Sequence, residues 1–366
     1  MRAIAFYLPQ YHPVPENDEW WGKGFTEWTN VAKAKPLYKG HYQPDLPGEF
    51  GFYDLRIPEV REKQAELARE CGIEGFMYWH YWFAGKRLLE RPFKEVVETK
   101  KPDFPFCLGW ANETWSGVWH GSPERVLIEQ TYPGIEDYIC HFYTILEAFR
   151  DSRYIQIDGK PVFFVYRPFH IPDCSLFIDT WRSLARQNGL GDIYFIGFAG
   201  KPETDYQKLM NIGFDGIYSQ RLDFALNSIV RKSISHKIRK RLFSKQFPVK
   251  YTEQGIFEYK DVIKYLTSSF DKKNNVFPML LPNWDNSPRT GKRSLIIENS
   301  TPELFREHLR DVLDVIQEKT KENRIIFIKS WNEWAEGNYL EPSRKHGHQY
   351  LNILKEEFSR FRSTFG

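Results

Sequence analysis

Two glutamates three residues apart, Glu333 and Glu336, stand in the run Ser330-Trp331-Asn332-Glu333-Trp334-Ala335-Glu336, just after the last apolar run of the chain. Paired carboxylates are what glycosidic-bond chemistry needs. One acid protonates the leaving oxygen, and a second carboxylate stabilises or forms the new bond at the anomeric carbon. Spaced i, i+3 across a turn, the two can face one pocket. Tryptophans beside them would desolvate a carboxyl and raise its pKa, as a general acid requires. Asn112-Glu113 echoes Asn332-Glu333, so Glu113 is a rival partner for Glu333, and the residues alone leave that choice open. Glu27, in Gly24-Phe25-Thr26-Glu27-Trp28, is a further carboxylate suited to a pair of hydroxyls.

Side chains so far apart in the chain need a scaffold that gathers them. Eight short apolar runs recur: Arg2–Pro9, Ile73–Phe83, Phe104–Trp110, Tyr154–Tyr166, Asp192–Ala199, Phe214–Ser219, Val276–Leu281 and Arg324–Ile328. Helical patterns at Pro58–Cys71, Leu88–Lys100, Ile135–Phe149, Ser175–Asn188, Glu203–Met210, Lys260–Ser268, Pro302–Lys319 and Gln349–Phe361 alternate with them. Pro58 opens its helix, Thr301 caps another, and Gly72 and Gly189 end theirs. Asp158-Gly159 predicts a small hairpin whose second arm, Pro161–Tyr166, is the core strand. Eight β-then-α units predict parallel strands with crossover helices. An open doubly wound sheet is the alternative, but it would carry a Gly-rich turn where this chain has Leu8-Pro9-Gln10-Tyr11-His12. The expectation is a single-domain (β/α)₈ TIM barrel over residues 1–366 with extended βα loops and a basic insertion at about 221–257.

Active sites of such barrels sit at the carboxyl ends of the strands. Eleven of the twelve Trp fall at those ends or in the loops after them, and only Trp181 sits in a helical pattern. Aromatic rings interleaved with Asn, His and carboxylates suit a polyhydroxylated ring, whose C–H faces stack and whose hydroxyl edges need fixed partners. An aromatic mini-core under long loops would give the same pattern. The predicted substrate-binding set is Tyr7, His12, Glu27, Trp28, Tyr42, Trp79, His80, Trp110, Asn112, Glu113, Tyr166, Trp284, Trp331 and Asn332. His12, His41 and His80 lack metal-binding H-x-H or H-E-x-x-H spacing, which favours sugar hydrogen bonding or packing. No Walker loop, nucleophile elbow or strand-end acidic pair for a metal–nucleotide-sugar diphosphate is present.

The formal charge of +3 on 366 residues gives no whole-protein argument for nucleic acid. Charge is concentrated instead: nine Lys/Arg and one acid, Asp223, lie between Arg221 and Lys250. That stretch reads as a solvated lid or as a contact for an acidic glycan, a lipid-linked diphosphate or an anionic membrane surface through Arg231–Lys250. The four cysteines are dispersed and read as reduced thiols. No apolar run reaches a membrane span, and no signal region precedes Pro9, so a cytoplasmic protein is expected. Oligomeric state is not legible.

Four motifs together resemble a known family. Tyr7-Leu8-Pro9-Gln10-Tyr11-His12, Gly24-Phe25-Thr26-Glu27-Trp28-Thr29-Asn30, His41-Tyr42-Gln43-Pro44 and Trp331-Asn332-Glu333-Trp334-Ala335-Glu336-Gly337 resemble the WbsX-type proteins of bacterial polysaccharide loci, described as glycoside hydrolase family 99-like. The resemblance runs from near the first residue to about Pro342. It implies a (β/α)₈ barrel, no cofactor and no metal. Family 99 comprises retaining endo-acting α-mannosidases and mannanases with catalytic glutamates in an Asn-Glu-x-x-Glu motif, which Glu333 and Glu336 match. The resemblance implies Glu333 as base on the substrate's 2-hydroxyl, giving a 1,2-anhydro sugar, and Glu336 as general acid, then base. Ala335 stands where family 99 has His, and Gly-Phe-Thr-Glu-Trp belongs to the WbsX group. WbsX proteins have also been assigned as glycosyltransferases from gene context. Three functions follow: a retaining hydrolase or transglycosidase on bacterial polysaccharide, a glycosyltransferase of O-antigen or capsule assembly, or an inactive glycan-binding barrel.

Overall fold

The computed structural model describes residues 1–117, 122–232 and 255–365. Eight parallel strands form its centre: β1 (Arg2–Tyr7), β2 (Gly75–Phe83), β3 (Phe106–Trp110), β4 (Lys160–Val165), β5 (Tyr194–Ala199), β6 (Gly216–Ser219), β7 (Val276–Leu280) and β8 (Ile325–Ile328). Each pairs with the next, and β8 returns to β1 with Ala3 opposite Ile326 and Ala5 opposite Ile328. The ring is closed: this is the expected (β/α)₈ barrel.

The strands read as unbroken apolar runs because a barrel strand has its lumen on one face and helices on the other. Ala3, Ile4, Ala5 and Phe6 are all fully buried, as are Val162 to Val165 and Ile325 to Ile328. Aromatic rings fill the lumen. Phe6 lies 5.8 Å from Phe164, 5.7 Å from Phe198, 5.1 Å from Tyr218 and 6.1 Å from Phe327 between ring centres. This plug is the floor beneath the carboxyl-end loops, and Trp79 rests on it at 5.4 Å from Phe6.

The outer layer is α1 (Pro58–Glu70), α2 (Arg91–Thr99), α3 (Ile135–Phe149), α4 (Cys174–Gln187), α5 (Pro202–Ile212), α6 (Leu222–Lys232), α7 (Pro302–Gln317) and α8 (Gln349–Phe365). Sequence signals account for their ends. The Thr301 side chain accepts from Leu304 N at 3.3 Å at the start of α7, and Asp173 accepts from Leu176 N at 3.1 Å at the start of α4. The hairpin at Asp158-Gly159 is present, with Gln156–Ile157 antiparallel to β4.

Three stretches differ from expectation. Lys86–Leu88 folds back antiparallel on the end of β2, so its helix begins at Arg91 rather than Leu88. The 260–268 segment makes one α turn, Tyr259–Val262, followed by a 3₁₀ turn, Ile263–Tyr265. Three small sheets decorate the loops among the described residues: Trp115–Gly117 with Ser122–Ile128, Asn332–Glu333 with Asn338–Tyr339, and Gly255–Glu258, Leu295–Glu298 and Trp284–Asp285. Period-two patterns this short do not stand out from loop sequence. The start of the basic stretch is α6, while residues 233–254, and with them most of the expected Arg231–Lys250 contact, lie outside the described residues. No helix among the described residues is long and apolar enough to cross a membrane.

Candidate active site

After β8 the chain makes a tight loop. Asn332–Glu333 pairs antiparallel with Asn338–Tyr339, and Trp334–Glu336 between them is a 3₁₀ turn. Side chains three apart eclipse in such a turn. Glu333 and Glu336 therefore point the same way, into a cavity of about 520 Å³ at the carboxyl end of the barrel. That volume suits a small-molecule or oligosaccharide site. Glu27, Trp79, Glu113, Tyr166 and Trp284 also line it.

The loop is anchored from below. Asn332 Oδ1 accepts from Leu8 N at 2.8 Å, and its Nδ2 donates to Leu8 O at 3.0 Å, which ties the loop to the end of β1. The Tyr11 hydroxyl donates to Asn332 O and accepts from Trp334 N. Glu341, buried beneath, accepts from Trp334 Nε1 at 2.7 Å, Tyr53 Oη at 2.9 Å and Gln64 Nε2 at 2.5 Å. Burial pushes the Glu341 carboxyl up to about 7, with the three donors pulling the other way.

One cation organises the carboxylates. Arg289, on the short helix Ser287–Thr290 after β7, donates from Nη1 to Glu336 Oε1 at 2.6 Å and to Glu333 Oε1 at 3.2 Å. Its Nε donates to Glu27 Oε1 at 2.7 Å. Burial raises the Glu333 carboxyl, Glu336 adds to the rise, and Arg289 and Lys329 oppose it, leaving it at about 7. Across the cavity, Glu113 pairs with Arg167 at 2.9 Å. Of the two candidate partners for Glu333, Glu336 shares a cation with it and Glu113 has its own.

The expected binding set divides. Glu27, Trp79, Glu113, Tyr166 and Trp284 line the cavity with Glu333 and Glu336. Nine others do not, for identifiable reasons. Tyr7 points out of the barrel and donates to Gln64 Oε1 at 2.7 Å. His12 is buried, and desolvation pushes its imidazole down to about 4. Trp28 donates to Tyr53 O and packs on Tyr11 and Trp334. The His80 Nε2 meets His141 Nε2 at 2.8 Å behind β2. Trp110 packs on His141 and Phe177 in the helix layer. Asn112 bridges Tyr132 Oη and the backbone of Arg167. Trp331 packs on Phe76, and Asn332 is the loop anchor already described. Tyr42 lies on a separate hollow. Much of the tryptophan excess at this rim is thus a mini-core under the loops. Arg167, Arg289 and Lys329 are the cavity cations that the predicted site set lacked. The Ser287-Pro288 turn after Asn286 was the one available hint of a further inward excursion. No group of three or more His, Cys, Asp or Glu positioned to hold a metal occurs among the described residues.

A family model described as glycosyltransferase WbsX matches residues 3–354. The chain belongs to the WbsX family. Two relatives from strains of Xanthomonas campestris pv. campestris, each described as uncharacterized protein WxcX, are 36% identical to this WbsX chain over 360 residues, 98% of it and 49% of their own length. The WbsX chain spans about half the length of these curated relatives. The GH99 endo-alpha-mannosidase from Bacteroides thetaiotaomicron superposes on it with a TM-score of 0.59 at 15% identity, covering 99% of this chain and 98% of that chain. A glycoside hydrolase-like protein superposes at 0.60 and 16% identity, covering 98% and 93%. At these identities the likeness is one of fold. The resemblance read from the four sequence motifs is borne out by the family match.

Proposed function

We propose that this barrel is a retaining glycosidase or transglycosidase acting on a bacterial polysaccharide or its precursor. The observation that carries the proposal is the placement of Glu333 and Glu336 on one Arg289 nitrogen inside a cavity walled by Trp79, Tyr166 and Trp284. Their Oε1 atoms can be no further apart than the two hydrogen bonds laid end to end. That lets both carboxylates reach one anomeric centre, as paired-carboxylate chemistry requires.

In this reading Glu333, ionised, takes the proton of the sugar 2-hydroxyl as that oxygen attacks the anomeric carbon. Glu336 protonates the departing glycosidic oxygen, and a 1,2-anhydro sugar results. Glu336 then accepts a proton from water, or from an acceptor hydroxyl, as it opens the three-membered ring, while Glu333 returns its proton to the 2-oxygen. Two inversions give retention. A base with a pKa near the working pH combines availability with proton affinity, and the raised Glu333 carboxyl fits that task. The GH99 mannosidase that shares the fold supports glycan cleavage.

Replacing Glu336 by Gln tests the assignment. Turnover of an unactivated glycan should fall by roughly 10²–10⁴-fold with binding retained; full turnover in this variant refutes it. The family description supports a second reading, transfer from an activated sugar donor to a glycan. Calorimetric binding of a nucleotide sugar would favour it over hydrolysis. A glycan bound by array with no product formed would favour a catalytically silent binding barrel.

A further inference from the structure

The motif His41-Tyr42-Gln43 is not used by the catalytic cavity. Instead it forms one side of a second hollow of about 120 Å³. Trp284 lines both spaces. Asp285 and Gly337 face the hollow, while their chain neighbours Asn286 and Glu336 face the cavity. One residue of backbone on each of two segments thus separates the two, with an indole spanning both.

We propose that this hollow is a second sugar subsite, taking one neutral pyranose ring of the same glycan that enters the cavity. The proposal rests on the carbohydrate reading above. Size limits the occupant to a single ring. Charge limits its chemistry: around the hollow Asp45, Asp285 and Glu298 outnumber Lys345, which lies over the Tyr42 ring, and His346, whose imidazole burial pushes down toward the neutral form, a balance that disfavours a phosphate or uronate and suits the O–H donors of a sugar.

These acceptors are held in place. Leu37 N donates to His41 Nδ1 at 3.0 Å, so the imidazole carries its proton on Nε2 and donates it to Asp285 Oδ2 at 2.7 Å. Gln43 Nε2 donates to the same oxygen at 2.7 Å, and Ser287 N donates to Oδ1 at 2.9 Å. Tyr38 stacks on His41 at 4.7 Å and donates to Glu298 at 2.7 Å. The exposed Tyr42 ring at the hollow's mouth, and Trp284 at its junction with the cavity, supply faces for C–H stacking.

The test uses the full chain carrying Glu336→Gln, so that binding is read without turnover. A bacterial-glycan array selects a ligand, and its disaccharide and tetrasaccharide fragments are titrated calorimetrically. The tetrasaccharide should bind roughly tenfold more tightly than the disaccharide, a difference of the size one stacked ring supplies. Adding Tyr42→Ala, or separately Glu298→Gln, should shrink that gap to about twofold, with thermal unfolding followed to exclude misfolding. A gap that survives in both variants, or is missing in the parent, overturns the subsite and leaves the cavity assignment standing. No ligand on the array at all overturns both.

Discussion

Arg289 Nη1 lies 2.6 Å from Glu336 Oε1, and Glu336 makes no other ion pair among the described residues. Two further carboxylates, Glu27 and Glu333, reach the same guanidinium. A buried group of three acids is tolerable only because that cation sits among them. Replacing Arg289 by Met should therefore cost about 3–5 kcal/mol of stability and most of the activity. The stability loss should shrink on acidification, because protonating carboxylates that have lost their counter-ion removes the buried charge. Thermal unfolding of Arg289→Met at several pH values checks this; a loss that does not vary with pH would contradict it.

In its proposed role as base, Glu333 makes activity sensitive to acid. Its carboxyl is raised from 4.5 to about 7, chiefly by burial. As a base it works ionised, so kcat/KM should fall on the acid side of about pH 7. The linkage runs in the opposite direction for stability. A raised folded-state pKa means that the folded chain binds more protons than the unfolded one between pH 4.5 and 7. Stability from this group is full below that window and lost as pH rises through it. Glu333→Gln should flatten part of the decline in melting temperature across the window, leaving the share due to Glu341, which is shifted in the same direction.

Glu341 never touches the cavity, yet three donors converge on it. In Glu341→Gln the amide N–H₂ would confront one of those donors, leaving buried polar groups unmatched at about 1–3 kcal/mol. Since Trp334 sits in the turn between the two catalytic candidates, kcat should drop with KM little changed. A variant with full melting temperature and full kcat would show that this buried carboxylate does not support the loop.

Gly337 ends the 3₁₀ turn at φ 55°, and a Cβ there would lie 2.7 Å from Asp285 N and 2.8 Å from Asp285 O. Neither backbone atom can yield cheaply. Gly337→Ala should lower stability by about 1–2 kcal/mol from the left-handed backbone alone. It should also push Glu336 off its position, where a displacement of about 1 Å can cost ~10²-fold in rate. Unchanged steady-state kinetics in a folded variant would rule this out.

The sequence was legible where physics is local or periodic. Runs such as Val162–Val165 and Ile325–Ile328, buried on both faces, announce parallel strands, and Pro58 and Thr301 announce helix starts. It was poorly legible where a side chain's direction decides its role. Tyr7, Trp110 and His80 stand at strand ends, the right height for a site, but a step of one residue turns a side chain from the lumen to the helix layer. Phe6 points in and Tyr7 out.

By itself, then, the sequence determined eight alternating units, the family, and a pair of glutamates whose spacing brings them onto one side of a turn, because hydrophobic period and i, i+3 spacing are properties of neighbouring residues. Only the tertiary structure decided which aromatics wall the cavity and which are packing. It alone brought Arg289, 44 and 47 residues before Glu333 and Glu336, between them, since contacts of that separation exist only once β7 and β8 have paired and their loops share one rim.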